Sequence, residues 1–337
     1  MKNWGLIGCG VIGERRVLAL PEGVRLVNCF DPNSARAEKL SQLTGARICK
    51  SEDDVLNPKE VSAVFLAAVN SALVPLIQKA ISKGIHVLVE KPAARSYSEL
   101  SQISSTKVKI KIGFNHRFHP AFEDLVQEIH SRPSDPIMFI RAQYGNGARL
   151  GFEKEWRANP EISGGGELLD QGVHLLDLAS VLLPKMKVIS GFCKTHYWGM
   201  NVDDNTWALL SDANGATFNF HVSSTEWKNE FRFEVYTRQR KYQWLGLGRS
   251  YGPEKLLIYK MKPEMGPPEF EERSYPADDL SWLKENSNFL KSIESNTALN
   301  GELSDALKCL KLVEDIYQNS QSLQANSKHP VWFREHQ

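Results

Sequence analysis

Residues 3–20, NWGLIGCGVIGERRVLAL, decide how the rest of the chain is read. An apolar run, NWGLIG, passes into Gly8-Cys9-Gly10-Val11-Ile12-Gly13 and then into a stretch with helical character over 12–19. Each glycine of such a G-x-G-x-x-G string has its own reason: a tight turn, close approach of an anion to the backbone, and close packing of helix on strand. The helix start beyond it offers free N–H groups and the positive end of the helix dipole to a phosphate. Three glycines at this spacing say little alone, but between a strand and a helix they predict a dinucleotide-binding turn at Gly8, Gly10, Val11, Ile12 and Gly13.

The next apolar run, VRLVNCF, leads to Asp31, 18 residues beyond Gly13. A carboxylate at that distance meets a ribose 2′-hydroxyl and repels a 2′-phosphate, so NAD is expected, with Arg36 the residue that could instead admit NADP. Asp31 also stands where it could cap a helix starting at Pro32. Further runs, VSAVFLAA, HVLVE and KVKIKIGF, alternate with helical stretches near 34–43, 72–82 and 96–104. Runs that are apolar throughout, with spacers too long for hairpins, describe a parallel sheet covered on both faces.

Past Pro120 the texture changes. A helix near 121–131 and a glycine-rich turn at 163–166 are followed by VISGFCKTHYW, NTWALL, ATFNFHVS, FRFEVYT, KYQWLG and KLLIYKM, a succession of strands with Asn214-Gly215 as a hairpin turn. KMKPEMGPPEFEE reads as a polar loop, and two helices near 279–293 and 304–319 close the chain, with Ser304 as N-cap of the second. The expected fold class is α/β: an N-terminal Rossmann parallel-sheet domain over 1–118, and a C-terminal α+β domain over 119–337 with a large, mostly antiparallel open sheet. The last helices could pack back on the first domain. An open face with the aromatics of HYWGM, TEWKN and YQWLG suggests a homodimer or homotetramer.

With 337 residues, 42% hydrophobic and 24% charged, the chain is larger than one core usually becomes. Lys and Arg number 41 against 40 Asp and Glu, which gives no electrostatic reason for a nucleic acid or a membrane partner. The five cysteines are odd in number, scattered and without C-x-x-C, so neither a disulfide framework nor a metal is expected, and a reducing cytoplasm fits. The first residues do not read as an export signal and no run of about 18 apolar residues occurs in the sequence, so a soluble, unexported protein is expected.

Two stretches carry chemistry. In GGGELLDQGVHLLDLASVLL, residues 164–183, Asp170, His174 and Asp177 fall at steps of four and three and share one face of an otherwise apolar helix. HVLVEKPAA is a buried strand ending at Glu90-Lys91-Pro92, and strand C-termini are where open α/β sheets bind ligands. A lysine before proline is held extended, which points its ammonium into the cleft.

GLIGCGVIG, LVEKPAA, GFNHRFHPAF and SGGGELLDQGVHLLDLA follow one another in an order that resembles the Gfo/Idh/MocA oxidoreductases, over nearly the whole length. The resemblance implies a catalytic set of Lys91, Asp170 and His174. His174, with a near-neutral pKa, would take a hydroxyl proton as hydride leaves the same carbon; Lys91 would stabilise the oxygen and Asp170 orient the groups. It also implies cofactor contacts at Asn70, Glu90 and Lys91, and nicotinamide or substrate contacts at Asn115 and Arg117 of the N-x-R motif. The Asn70 loop departs from the family pattern, with Ala68-Val69 in place of Thr-Pro and Leu73 where a histidine is common. Asp177 is as readily structural as substrate-facing.

The connecting stretch YGNGARLGFEKEWRANPEISGGG, with Tyr144, Arg149, Lys154, Trp156 and Arg157, is rich in aromatics and cations. Arg157 is expected to meet substrate beside Asp170 and His174. The resulting expectation is an NAD(P)-dependent oxidoreductase acting on a secondary hydroxyl or ketone of a sugar, polyol or nucleotide sugar. Two alternatives stand beside it: a silent NAD-binding, sugar-sensing regulator, which would have no need to retain Lys91, Asp170 and His174, and a redox-neutral lyase or glycosidase using transient NAD oxidation.

Overall fold

The computed structural model describes residues 1–104 and 107–326. Six strands, β1 (Lys2–Ile7), β2 (Val24–Phe30), β3 (Arg47–Ile48), β4 (Ala63–Leu66), β5 (His86–Glu90) and β6 (Ile110–Gly113), form a parallel sheet in the order β3-β2-β1-β4-β5-β6. Helices α1 (Val11–Leu18), α2 (Ser34–Thr44), α3 (Glu52–Val55), α4 (Asn70–Ser82) and α5 (Tyr97–Leu100) connect them. Every residue of β4 and β6 is buried, which is why these strands show no polar alternation. The strand order reverses between β1 and β4, and a crevice opens beyond their carboxyl ends.

Local details differ from the sequence reading. The helix expected over 96–104 closes after one turn, Tyr97–Leu100, capped by Ser96, and the reading runs up against residues 105–106, outside the described residues. Helix α2 begins at Ser34, not Pro32, and its cap is Asn33, whose side chain accepts the Arg36 N–H. Asp31 is therefore free of capping duty.

The second sheet contains β7 (Ile137–Gly145), β8 (Lys187–Lys194), β9 (Asn205–Ser211), β10 (Thr217–Ser223), β11 (Glu230–Thr237), β12 (Arg240–Leu245), β13 (Lys255–Lys260) and β14 (Glu269–Ser274). Their order is β14-β13-β12-β11-β7-β10-β9-β8, antiparallel except where β7 pairs with β10. The hairpin at Asn214-Gly215 joins β9 to β10, with Gly215 at φ +86°. Strand β8 ends well before Trp198, because the Asp204 carboxylate takes the N–H groups of His196, Tyr197 and Trp198. Strand β14 falls in the charged stretch read as loop; it is an exposed edge that only its pairing with β13 reveals.

Helices α6 (Pro120–His130), α7 (Pro160–Ser163), α8 (Val173–Leu182), α9 (Ser281–Ser295) and α10 (Leu303–Asn326) complete the chain. One face of the large sheet is closed by α6, α8 and α10, with Phe218, Phe233, Tyr242 and Trp244 in the core beneath them. Trp244 is thus a core residue, not the interface residue expected of YQWLG. The opposite face carries Phe192, Trp207 and Leu209, with Trp207 stacked on His221. Helix α9 returns to the first sheet, where Phe289 meets Trp4 at 5.4 Å. Helix α10 starts at Leu303, so Ser304 lies inside it; the N–H of Glu302 is met by the Asp305 carboxylate reaching back one turn. Among the described residues, no helix is long and apolar enough to cross a membrane.

Candidate active site

The glycine turn at the end of β1 is built as its spacing implies. Gly8 sits at φ +98°, and a Cβ there would lie 2.3 Å from the Ala67 carbonyl oxygen; one on Gly13 would lie 2.0 Å from that of Gly8. Both positions are closed to any side chain. A Cβ on Gly10 would meet nothing within 4 Å, so the space above the turn is open, and α1 starts there with no side-chain cap on its N–H groups. This is a cradle that fits a pyrophosphate, with Val11 on its exposed rim and Ile12 behind it.

Asp31 pins the cradle. One carboxylate oxygen accepts the Cys9 N–H and the other the Asn33 N–H, each at 2.8 Å. Each oxygen keeps a second lone pair, so the group can hold the turn and still accept a ribose hydroxyl.

Across the crevice, Gly164-Gly165-Gly166 leads into a wide π-helical turn, Leu168–Gly172, and then α8. A Cβ on Gly166 would fall 2.0 Å from the Asp203 carbonyl oxygen, which explains why the turn needs glycine at that point. The π turn breaks the 3.6-residue period on which a single polar face was expected, and π turns recur at functional sites. Asp170 lies within that turn, His174 and Asp177 on the regular α8 that follows, and the three meet different neighbours.

Asp170 receives Lys91 from the end of β5. The Lys91 Nζ lies 2.5 Å from both the Asp170 carbonyl oxygen and its Oδ1, and Arg157 Nε donates to Oδ2 at 3.1 Å. Burial opposes ionisation of Asp170, but the Lys91 and Arg157 charges overcome it and hold its carboxyl below the usual carboxylate range. The cluster remains partly open, with Lys91 and Asp170 side chains 17% and 28% exposed. The Lys91–Pro92 peptide bond is cis.

His174 packs at a tilt against His116, ring centroids 3.9 Å apart and planes 31° apart, and its Nδ1 has no hydrogen-bond partner. Burial first, and then the charge of Lys91, pushes its pKa well below the ordinary imidazole value. That corrects the near-neutral value expected from sequence: the ring is held neutral. His116 is depressed in the same way, by burial and then by His174.

Asp177 and Arg117 form a closed pair behind the site. Arg117 Nε and Nη2 reach Asp177 at 2.7 and 2.5 Å, and Nη1 reaches Asp305 and Asn300 at 3.1 Å. Each Arg117 nitrogen is thus bonded within the protein, and both side chains are buried away from the cleft that receives Lys91. Asn115 is likewise engaged, donating to Ser281 Oγ and meeting His116 Nδ1. His119 is buried against Glu254 at 2.9 Å. The Glu90 carboxylate is bound by Arg16 at 2.6 Å within a buried group that includes Glu285 and Lys111, whose pKa burial pushes down to about 8. One Glu90 oxygen is thereby committed to the protein.

Asn70, Trp156, Arg157, Glu167 and Asp170 line one cleft, together with Phe152. The Asn70 amide ties the two sides of this cleft by donating to the Ser163 carbonyl at 2.8 Å. Leu73, in the position where a histidine is common, is fully buried in the core. Glu167 escaped the sequence reading. Its signal was there in an acid three residues before Asp170, two carboxylates one turn apart in an apolar stretch.

Comparison with known proteins identifies the family and the fold. Residues 2–111 match the family described as "Oxidoreductase family, NAD-binding Rossmann fold", and residues 135–243 match the "GFO/IDH/MocA C-terminal domain". Curated relatives include a glucose-6-phosphate 3-dehydrogenase of Bacillus subtilis (strain 168), 29% identical over 187 residues, 53% of each chain. A scyllo-inositol 2-dehydrogenase (NAD(+)) of the same organism is 30% identical over 192 residues, again 53% of each. The chain thus spans about half the length of the curated relatives it matches. Among solved structures, a levoglucosan dehydrogenase in complex with NADH superposes with a TM-score of 0.85 at 18% identity, covering 95% of this chain and 97% of that one, which shows the shared fold.

Proposed function

The chain belongs to the Gfo/Idh/MocA oxidoreductase family, and from that premise we propose that it transfers a hydride between NAD and a secondary hydroxyl or ketone of a sugar, polyol or nucleotide sugar. One observation carries the reading: the ammonium of Lys91, from the end of β5 beside the cradle, is bonded to Asp170 of the opposite wall, one helical turn from His174.

Bound NAD would supply the hydride acceptor, held at Gly8, Gly10, Gly13 and the start of α1, with Asp31 toward its ribose; exposed Arg36 leaves NADP open. The protein's own groups do the rest. A neutral His174 is already in the form that accepts a hydroxyl proton, and the nearby Lys91 charge favours return of that proton in the reverse direction. Lys91 stabilises negative charge on the reacting oxygen. Asp170 holds Lys91 and Arg157 in one geometry, so that neither has to reorganise as substrate enters. Trp156, with the Arg157 guanidinium 4.6 Å above its ring, offers a flat apolar wall to a sugar. A sensor that used this fold for recognition alone would have no need of the Lys91–Asp170 pair.

On this reading residues 1–118 hold the cofactor and 119–337 the substrate. The balanced charge and scattered cysteines support a cytoplasmic protein acting on a small molecule, and the apolar Phe192, Trp207 and Leu209 on the open sheet face support a homo-oligomer. The test is a screen of sugars, polyols and nucleotide sugars with NAD and NADP, following absorbance of the reduced cofactor. Turnover of at least one is expected; binding of NAD with no turnover across the screen would turn the reading toward a sensor.

A further inference from the structure

Glu167 stands on the cleft wall immediately before the π turn, beside Asn70, Trp156, Arg157 and Asp170. The residue is 4% exposed, and its Oε1 has no hydrogen-bond partner. Such a carboxyl destabilises the fold, so the fold by itself does not account for it. Its neighbours are already committed. Lys91 and Arg157 both bond Asp170. Asp203, the carboxylate on the other flank, takes the N–H groups of Gly166 and Leu168 and the hydroxyls of Thr206 and Tyr317.

Resting on the dehydrogenase reading above, we propose that Glu167 is a substrate-specificity residue: its carboxyl group receives a second hydroxyl of the sugar-like substrate, one that is not oxidised. Burial, with Asp170 and Asp203 adding to it, pushes the Glu167 pKa well above the usual carboxylate range, while Lys91 and Arg157 pull the other way without prevailing. The phenols of Tyr144 and Tyr251 also lie near enough to feel it. A neutral carboxyl presents one O–H donor and one carbonyl acceptor, and a hydroxyl is the substrate group that uses both. Phe152 and Trp156 supply the apolar surface for the C–H face of the ring that carries it. The substrate class is therefore a neutral polyhydroxylated ring at this position rather than one with an ammonium there.

Glu167→Ala and Glu167→Gln test this with the substrate that the wild-type protein turns over in the screen, and with its deoxy analogues. Glu167→Ala should raise KM by about 10- to 100-fold, with kcat nearly unchanged, NADH affinity unchanged and a thermal midpoint no lower than wild type. Glu167→Gln, which offers the same donor and acceptor, should stay within a few-fold of wild type. One deoxy analogue should bind the wild type poorly yet lose nothing further with Glu167→Ala. An unchanged KM in Glu167→Ala overturns the proposal, as does a lowered thermal midpoint with KM unaltered, the mark of a structural role. Equal loss in both variants also overturns it, because that is the behaviour of a carboxylate meeting a cation such as an amino sugar. If the wild type turns over nothing, the hydride-transfer reading fails separately; sugar binding to the NADH complex, read from cofactor fluorescence, then probes Glu167 with the same expected pattern.

Discussion

Two charged clusters hang from the same stretch of chain, and their stoichiometries are inverted. Asp170 is one carboxylate between two cations, Lys91 and Arg157, and its side chain is 28% exposed at a cleft. Arg117 is one cation between two carboxylates, Asp177 and Asp305, and it and Asp177 are 7% and 1% exposed. The closed cluster spends four of the five Arg117 N–H donors within the protein. The open one leaves positive charge beside a cleft, where, on the proposed reading, a developing alkoxide would use it. Sharing a helix face in sequence therefore does not give residues one environment: one pair opens on a cleft and the other is enclosed by the protein.

The largest effect that sharpens this contrast lies at the open cluster. Lys91→Ala or His174→Ala should lower kcat by about 10²- to 10⁴-fold while NADH binding, measured by fluorescence, is retained. Normal turnover in both variants would break the contrast at once, since it would leave the open cluster without chemistry.

A smaller effect concerns the imidazoles between the clusters. His116 and His174 are held neutral by burial, with folded pKa values below the unfolded one. The unfolded chain then binds more protons, so the stability each contributes is present above about pH 6.5 and is lost as pH falls through the window below it. Several buried carboxyls, Glu167 among them, act in the opposite sense, so the comparison has to be made between variants. Denaturation of His116→Phe should show a pH slope shallower than wild type by about 1.4 kcal/mol per pH unit below pH 6.5. Parallel slopes would mean that the ring takes up its proton in the folded state.

Much of this was legible in the chain because some motifs are local. Gly8, Gly10 and Gly13 fall between a strand and a helix that are both visible in the sequence, so spacing and context together identify them, although the Ala67 backbone that closes Gly8 to a side chain is not local. Lys91 at a strand end and Asp170 and His174 at helical spacing are likewise visible, and the order of the four motifs tied them to one family. Non-local partnerships were invisible. Arg117 lies 60 residues from Asp177 and 188 from Asp305, and nothing near it in sequence announces either. Strand β7 escaped notice although it sits at the centre of the large sheet, because Arg141 and Gln143 on its outward face blur the apolar run. Its neighbour β10 pairs with it in parallel from more than 70 residues away. The π turn was hidden for another reason: it follows a glycine packed against Asp203, a contact from 37 residues away that no helical periodicity encodes.

The proposed division between an open, reactive cluster and a closed, structural one can be measured directly by placing Asp170→Asn and Asp177→Asn side by side and reading kcat per folded molecule against unfolding free energy. The expected result is crossed. Asp170→Asn should lose about 10²-fold or more in kcat with stability changed by less than about 1 kcal/mol, whereas Asp177→Asn should lose about 3–5 kcal/mol of stability with kcat of the folded fraction nearly intact. Equal losses of activity in the two variants, or a stability loss confined to Asp170→Asn, would contradict the account.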